Sequence, residues 1–482
     1  MSASTSTGVL GASTKPLAVC VGMGVAMLAS VQMSRHHRQL WRALGARRLS
    51  AARRLPSSET SGVLTLEDVR PRYLDCVQQR SQTPPARLST ASITVVQFNI
   101  LARNLATRNH FPYVMDSSLN WENRKRTLLR QLEELDADVV CLEELSDYWT
   151  FFKPELHELG YDSVYIKRPS IHISNWSGER KQDGCGIFYN VYIKRPSIHI
   201  SNWSGERKQD GCGIFYKKDK LELKECECVN FHDPHDRVAV LALLKLRHWA
   251  QYVLVGCTHL WWNAKKVDHQ MAELFELEEE IIRMSSDVKD KYSRDLADTI
   301  TGHEHIPIII CGDFNNSPES PLYEYMESSF MQKPNLEGVQ EPFRSAYALY
   351  RQNAEAVASA PEAEQQQQRR PPSDADRRDE PPHTTVNFRR CWTIDYIWYS
   401  QRSLVPTRVL DIPSEAVLRA EDGPAGWFNR LAMSDSYSKS GRLPSGFQGN
   451  HNGIPNSMFG SDHVPIMAEF EFLHPASGSA EM

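Results

Sequence analysis

No pair of cysteines in this chain has the spacing of a zinc site. The 10 cysteines are scattered, and Cys226 and Cys228 have no companion pair to complete a tetrahedral shell. Cys141, Cys257 and Cys311 lie in apolar runs and read as buried thiols of a reduced protein. No serine stands in a nucleophile elbow, which removes the usual arrangement for acyl transfer. Excess basic charge is absent too. At a net charge of −5, any nucleic acid must be held by a local patch and not by a global field. What the chain does have is 482 residues, 41% of them hydrophobic. That suffices for one large domain with extensions, or for two or three ordinary ones.

Acid is missing from positions 1–58, which carry Lys15 and seven arginines from Arg35 to Arg54. With its many Ser and Ala, this is the composition of a mitochondrial transit segment. Residues 16–34 are uncharged and long enough for a marginal membrane span, weakened by Gly, Ser and Gln. The basic flank Arg35, His36, His37 and Arg38 would stay on the cytoplasmic side of such an anchor. A secretory signal ranks last, because its positive charge precedes its apolar run. Mitochondrial targeting is the first expectation and a single-span anchor with membrane contact through 16–34 the second. A disordered tail on a cytoplasmic protein is the third. Residues 59–92 read as a linker with a short helix over 66–79, and 93–473 as the folded domain.

Within that domain, apolar runs end repeatedly in polar residues. The strand from Ile93 contains Asn99, and a buried amide must be satisfied by backbone or by a ligand. Trp121 to Leu135 has helical spacing, with Arg124, Lys125, Arg126 and Arg130 read as a solvated face. The strand from Asp138 ends in Glu143 and Glu144, which as neighbours face opposite ways. Val238 to Leu246 is a further strand, and the run from Tyr252 ends in His259, followed by Trp261, Trp262 and Asn263. Asp268 to Met284 is an amphipathic helix. Ile308 to Cys311 leads through Gly312 into Asp313, Phe314 and Asn315. A Gln-, Arg- and Pro-rich stretch over 352–382 cannot bury a core and reads as disordered. The strand Cys391 to Tyr399 carries Asp395 on its buried side. A second polar insertion spans 434–457, and Asp462 and His463 form a turn into the final strand.

Val164 to Tyr189 is repeated without change as Val191 to Tyr216, offset by 27 residues. A solenoid needs at least three units, and its units drift, so the exact tandem duplicate 164–189/191–216 reads as a recent duplication or as an error of gene assembly. One copy is expected to supply the native strand and loop, with the other inserted; the sequence does not choose between them.

Each polar strand end has a plain structural explanation, since Asp and Asn favour turns and a histidine at a strand end is usually structural. Together they are harder to dismiss. Strand ends of one sheet converge in space, and carboxylates, amides and imidazoles without thiolates suit Mg²⁺ or Mn²⁺ and phosphate chemistry.

The motifs QFNILA (97–102), CLEEL (141–145), DGCGIFY (183–189 or 210–216), THLWWN (258–263), CGDFN (311–315), TIDYIWY (393–399) and SDHVPI (461–466) resemble the endonuclease/exonuclease/phosphatase superfamily. The most similar group holds the carbon-catabolite-repression deadenylases, nocturnin and angel. The resemblance implies an α/β fold, a four-layer sandwich of two packed mixed β-sheets flanked by helices. It implies Glu144 as the principal metal ligand with Asn99 beside it, and His259 on the scissile phosphate. Asp313 would orient or deprotonate water, and Asn315 would hold a phosphate oxygen. His463 would contact phosphate or metal, oriented by Asp395, with Asp462 alongside. The family has Gln-Glu where this chain has Glu143-Glu144, so Glu143 is expected to add negative charge near the site. The function implied is an Mg²⁺- or Mn²⁺-dependent 3′→5′ exoribonuclease acting on RNA, above all poly(A). The alternatives are an NADP(H) 2′-phosphatase or 2′,5′-phosphodiesterase on an adenine nucleotide, and a catalytically weak interaction scaffold. With no leucine-rich repeats before the domain, docking into the large deadenylase complex is not expected.

Overall fold

A computed structural model describes residues 70–76, 88–169, 210–232, 235–301, 306–332, 342–358, 379–388, 390–419 and 453–474. All of them fall in the unit Val63–Met482. The targeting segment, residues 16–34 and the motif copy at 183–189 lie outside the described residues. Among the described residues, no helix is long and apolar enough to cross a membrane.

The core is two sheets face to face. One is built from β1 (Tyr73–Asp75), β2 (Leu88–Asn99), β3 (Val139–Glu143), β4 (Tyr161–Lys167), β5 (Gly211–Lys217), β14 (Leu404–Leu410) and β15 (Ile466–Leu473), in the order β1-β14-β15-β2-β3-β5-β4. The other holds β6 (Leu221–Asn230), β7 (Val238–Leu246), β8 (Gln251–His259), β9 (Ile308–Asp313), β10 (Phe343–Ser345) and β13 (Asp395–Ser400), in the order β10-β13-β9-β8-β7-β6. A separate two-stranded hairpin of β11 (Thr385–Val386) and β12 (Cys391–Trp392) packs beside the turn at Asp462 and His463. Among the named strands of the described residues, β2–β3 and β8–β9 pair in parallel and the other pairs are antiparallel.

Alternation along each strand sorts side chains into layers. Val95, Val139, Cys141 and Ile214 of the first sheet meet Val240, Val255, Cys257, Ile309 and Cys311 of the second in the central layer. The intervening Val96, Phe98, Val140 and Leu142 face outward against α1 (Trp121–Leu135) and α2 (Lys153–Glu158). Leu241, Leu243, Leu254 and Ile310 face outward against α3 (Val267–Lys291) and α4 (Pro321–Ser328). Strands covered on both faces must be apolar throughout, and β2, β3, β8 and β9 are the continuous runs of the sequence. Leu274, Leu277, Ile281, Met284 and Val288 repeat every three or four residues, which lays one stripe of α3 on the sheet. Each such leucine contributes about 1.5–3 kcal/mol by burial. The four-layer sandwich expected from the motifs is the observed fold.

Five expectations need correction. Tyr73–Asp75 lies within the span expected to be helical but is a strand, because it completes the first sheet by pairing with β14. Arg124 is buried rather than solvated; three residues after Trp121 and four before Leu128, it falls on the packed face of α1. The first insertion is ordered at both ends: a helix, α5, runs over Tyr350–Ala358, and Glu380 is buried against Tyr323. The second insertion is ordered at its end, where Ile454 and Asn456 are buried. Neither duplicate copy alone supplies the native strands. The first furnishes the end of β4 and the second furnishes β5, paired from Val164↔Ile214 to Lys167↔Gly211.

Candidate active site

The two parallel pairs and their antiparallel neighbours bring chain segments of both kinds to one edge of the sandwich. Asn99 and Glu143 are register partners at the ends of β2 and β3. His259 and Asp313 are partners at the ends of β8 and β9. Asp395 opposite Asp313 opens the antiparallel β13, and His463 precedes β15, which runs antiparallel to β2. The last two therefore begin strands rather than end them, and antiparallel pairing delivers them to the same edge. Gly312 permits the approach of β9 to β8, for a Cβ there would stand 2.3 Å from the Thr258 carbonyl oxygen.

Asp313 is the hub. Asn99 Nδ2 donates to its Oδ2 at 3.0 Å. His259 Nε2 and His463 Nε2 lie 3.5 and 3.8 Å from the same oxygen, and Asn315 N–H donates to Oδ1 at 2.9 Å. His463 Nδ1 meets Asp395 Oδ2 at 2.8 Å, and Thr384 Oγ1 donates to that oxygen too. Glu144, at a positive φ of 54°, turns out of the strand. It accepts Ala102 N–H at 2.7 Å and stands 3.4 Å from Asn99 Nδ2.

Burial separates the titrating groups. Asp313 is pushed up to about 7 by desolvation and then by the Asp395 charge. Glu144 is raised by desolvation and by Asp210. His259 is held well below its ordinary value, first by burial and then by the charges of Arg237 and Arg168. For His463, burial opposes the charge, but the charge and hydrogen bond of Asp395 outweigh it and hold the imidazolium well above its ordinary value. The edge thus pairs a neutral imidazole with a charged one across a shared carboxylate.

The donor set fits a hard divalent cation. Glu144 is half-buried and offers a carboxylate oxygen, and desolvation raises both it and Asp313, a cost that a bound cation would offset. Asn99 presents its amide nitrogen to the two acids while its Oδ1 accepts Leu101 N–H at 3.0 Å. In this arrangement it spaces the carboxylates instead of offering its oxygen. Asp313, Asp395 and His463 also bring one ligand atom each within 4.8 Å of one another. There, however, His463 Nδ1 and Asp395 Oδ2 already satisfy each other.

Asn99, Glu144, His259, Asp313, Asp395 and His463 are thus assembled. Asn315 adjoins them, its Nδ2 donating to Leu260 O at 3.0 Å. Asp462 is half-buried beside His463, and its carbonyl accepts from Val386 N–H and Thr385 Oγ1. Trp261 stacks on His235 at 3.8 Å, while Trp262 is 58% exposed. Glu143 does not project to the reactive edge. Alternation turns it into the layer between the sheets, against Gln97 and Cys257, where desolvation raises it well above the ordinary carboxylate range.

Four supporting residues are not legible as such in the motifs. Thr384 and Gln97 both hold Asp395. Arg124 donates to Ile100 O, Leu101 O and Gly460 O at 3.3, 2.8 and 2.7 Å, tying the segment after Asn99 to the turn before His463. Its helical position was the available signal. Arg168 pairs with Asp210 at 3.1 Å and holds His235 O and Asp236 O, so it seats the loop before β7. That pair joins the two duplicate copies, which no local pattern foretells.

The endonuclease/exonuclease/phosphatase family model matches residues 96–463. The CCR4-Not complex 3′-5′-exoribonuclease subunit Ccr4 of Neurospora crassa is 25% identical over 86% of this chain and 48% of its own. The Schizosaccharomyces pombe subunit of the same name is 23% identical over 84% and 53%, so the chain spans about half the length of these relatives. Nocturnin of Xenopus laevis is 25% identical over 78% of this chain and 72% of its own. Among solved structures, ANGEL2, a 2′,3′-cyclic phosphatase, shares the fold with a TM-score of 0.51 at 22% identity, covering 83% of this chain and 98% of that one.

Proposed function

The chain belongs to the endonuclease/exonuclease/phosphatase family, and from that premise we propose that it is a divalent-metal-dependent 3′→5′ exoribonuclease of the deadenylase type, releasing 5′-nucleotides. The observation that carries the proposal is the convergence of Glu144, Asn99, His259, Asp313 and the Asp395–His463 pair on one edge. The names of the Ccr4 relatives support the RNA substrate. So does the exposed Trp262, three residues after His259, because base stacking on an indole is tolerant of sequence.

Held by Glu144 beside Asn99, Mg²⁺ or Mn²⁺ supplies neutralising charge for the non-bridging phosphate oxygens. The chain's own groups do the rest. Asp313, raised towards neutrality, takes the proton of the attacking water better than an ordinary aspartate would. The neutral His259 donates one hydrogen bond to the phosphate. The His463 imidazolium, kept charged by Asp395, stabilises charge developing on the phosphoryl oxygens. Asn315 steadies the Asp313 carboxylate through its backbone N–H and would hold a phosphate oxygen with its side chain.

The second reading is a 2′-phosphatase or 2′,5′-phosphodiesterase on an adenine nucleotide. The acid-free residues 1–58 favour it, since a mitochondrial address suits a nucleotide substrate. An import assay with residues 1–58 fused to a reporter tests that address, and exclusion from mitochondria refutes it. The substrate is decided by offering poly(A) RNA, 2′,5′-oligoadenylate and NADP⁺ to the full chain, each with Mg²⁺ and with EDTA. Stepwise shortening of RNA with Mg²⁺ alone supports the deadenylase; phosphate from NADP⁺, or cleavage of the 2′,5′ linkage alone, moves the protein to the second reading. No turnover of any of them leaves the interaction scaffold.

A further inference from the structure

Gln97 lies in β2, on the same face as Val95 and Asn99, so its side chain enters the layer between the sheets. It is fully buried. Its Nε2 donates to Glu143 Oε2 at 2.9 Å in its own sheet. The same nitrogen donates to Asp395 Oδ1 at 3.0 Å in the facing sheet. Both amide hydrogens are therefore in use, one on each sheet.

The Asp395 carboxylate is consequently held at both oxygens. His463 Nδ1 and Thr384 Oγ1 occupy Oδ2, and Gln97 occupies Oδ1. Two donors on one oxygen leave a carboxylate free to rock about its Cβ–Cγ bond; a third on the other oxygen stops it. Glu143 in turn fixes Gln97 from behind, and its second oxygen, Oε1, rests 3.3 Å from Cys257 Sγ. The sequence of contacts runs Cys257, Glu143, Gln97, Asp395, His463, from the apolar interior to the reactive edge.

We propose that Gln97 is a positioning residue for the Asp395–His463 pair, and that Glu143 seats it as a hydrogen-bond acceptor. The proposal rests on the phosphoester-hydrolase reading for its effect on rate, while its effect on His463 geometry is independent of that reading. Groups that orient a reacting side chain from behind typically change activity by about 10–100-fold. A glutamine that merely satisfied the core would change stability and leave the histidine untouched.

The test uses the full chain and three variants: Gln97→Leu, Glu143→Leu and Glu143→Gln. One readout is kcat and KM on the substrate that the wild type turns over. The other is the low-field proton resonance of the His463 Nδ1–H in the metal-free chain, identified by its loss in His463→Ala. Gln97→Leu is expected to lower kcat by about 10–100-fold, with KM moving less than about threefold, and to displace or broaden the resonance. Glu143→Leu follows it, whereas Glu143→Gln retains an acceptor and keeps the resonance in place. Should Gln97→Leu fail to fold, Gln97→Asn, one methylene short of Asp395, is measured in its stead. A wild-type resonance and kcat in the Gln97 variant overturn the proposal. If the wild type hydrolyses no phosphoester, the hydrolase reading fails, and the resonance alone decides the positioning role.

Discussion

Replacing Arg124 by alanine should unfold the reactive edge before it unfolds anything else. The guanidinium is buried and donates to three backbone carbonyls, Ile100 O, Leu101 O and Gly460 O. Burial draws it down to about 10, still far above neutrality, so it is charged. Deletion strands three buried acceptors, and each costs about 1–3 kcal/mol if water does not reach it. The packing of its stem against Trp121, whose ring centroid lies 5.0 Å from the guanidinium carbon, goes as well. Water entering the space left behind relieves part of this, and a net loss of about 3–5 kcal/mol is expected. That is a third or more of a typical domain's stability. Arg124→Lys keeps the charge but not the fork, and should lose about half as much. Urea denaturation followed by tryptophan fluorescence measures both, and turnover at a urea concentration where the variant is still folded measures the edge. A variant within about 0.5 kcal/mol of wild type, the scale of an exposed substitution, would refute the reasoning.

Asp313→Asn should cut turnover by at least about 10²–10³-fold yet raise the thermal midpoint of the metal-free chain above pH 7. Its folded-state pKa, about 7, lies above the unfolded value, so ionisation costs stability that grows as pH rises between the two and vanishes in the variant; equal midpoints at pH 8 would contradict this. Asp395→Asn removes the largest of the charges that keep His463 protonated, ahead of those of Asp313 and Asp462. A folded pKa raised above the unfolded value contributes stability that is complete below about 6.5 and is lost as pH rises through the folded value. The alkaline limb of the rate profile should therefore move to lower pH, and an unmoved limb counts against the pair. Metal at about 100 times its Kd should stabilise the chain by about 2.7 kcal/mol, read as a thermal shift that EDTA reverses and Glu144→Gln abolishes. Deleting one duplicate copy shortens the stretch between Arg168 and Asp210 from 41 residues to 14 and keeps both partner motifs. Loop closure then costs about 1 kcal/mol less, so urea midpoints should rise and turnover should persist; loss of folding would mean that both copies are required.

What the sequence discloses follows from which interactions are periodic. β2, β3, β8 and β9 stand out because burial on both faces demands unbroken apolar runs, and α3 because its stripe repeats every three or four residues. Asn99, Glu144, His259, Asp313 and Asp395 were findable as polar residues where those runs stop or start. The short β1 was not, since three residues carry no period and pair with a strand more than 300 positions away. The charge of Arg124 points to solvent while its helical position, between Trp121 and Leu128, points to the core, and position prevails. Glu143 faces the layer between the sheets, opposite to Glu144, and the motif does not show which of the two acids reaches the edge; its partner Gln97 is 46 residues distant. Gln97 and Thr384 act through Asp395, from 298 and 11 residues away, and contacts at such separations leave no local signature. The use of both duplicate copies was equally hidden, because identical segments offer identical pairing.

The most direct test of the central claim is shortening of a 5′-labelled oligoadenylate by the full chain, resolved nucleotide by nucleotide, with Mg²⁺, with EDTA, and with Asp313→Asn in parallel. A ladder that descends one nucleotide at a time with Mg²⁺, stops with EDTA and slows at least about 10²-fold in the variant is the predicted result. An RNA left intact by the wild type with Mg²⁺, or shortened equally fast by Asp313→Asn, contradicts it.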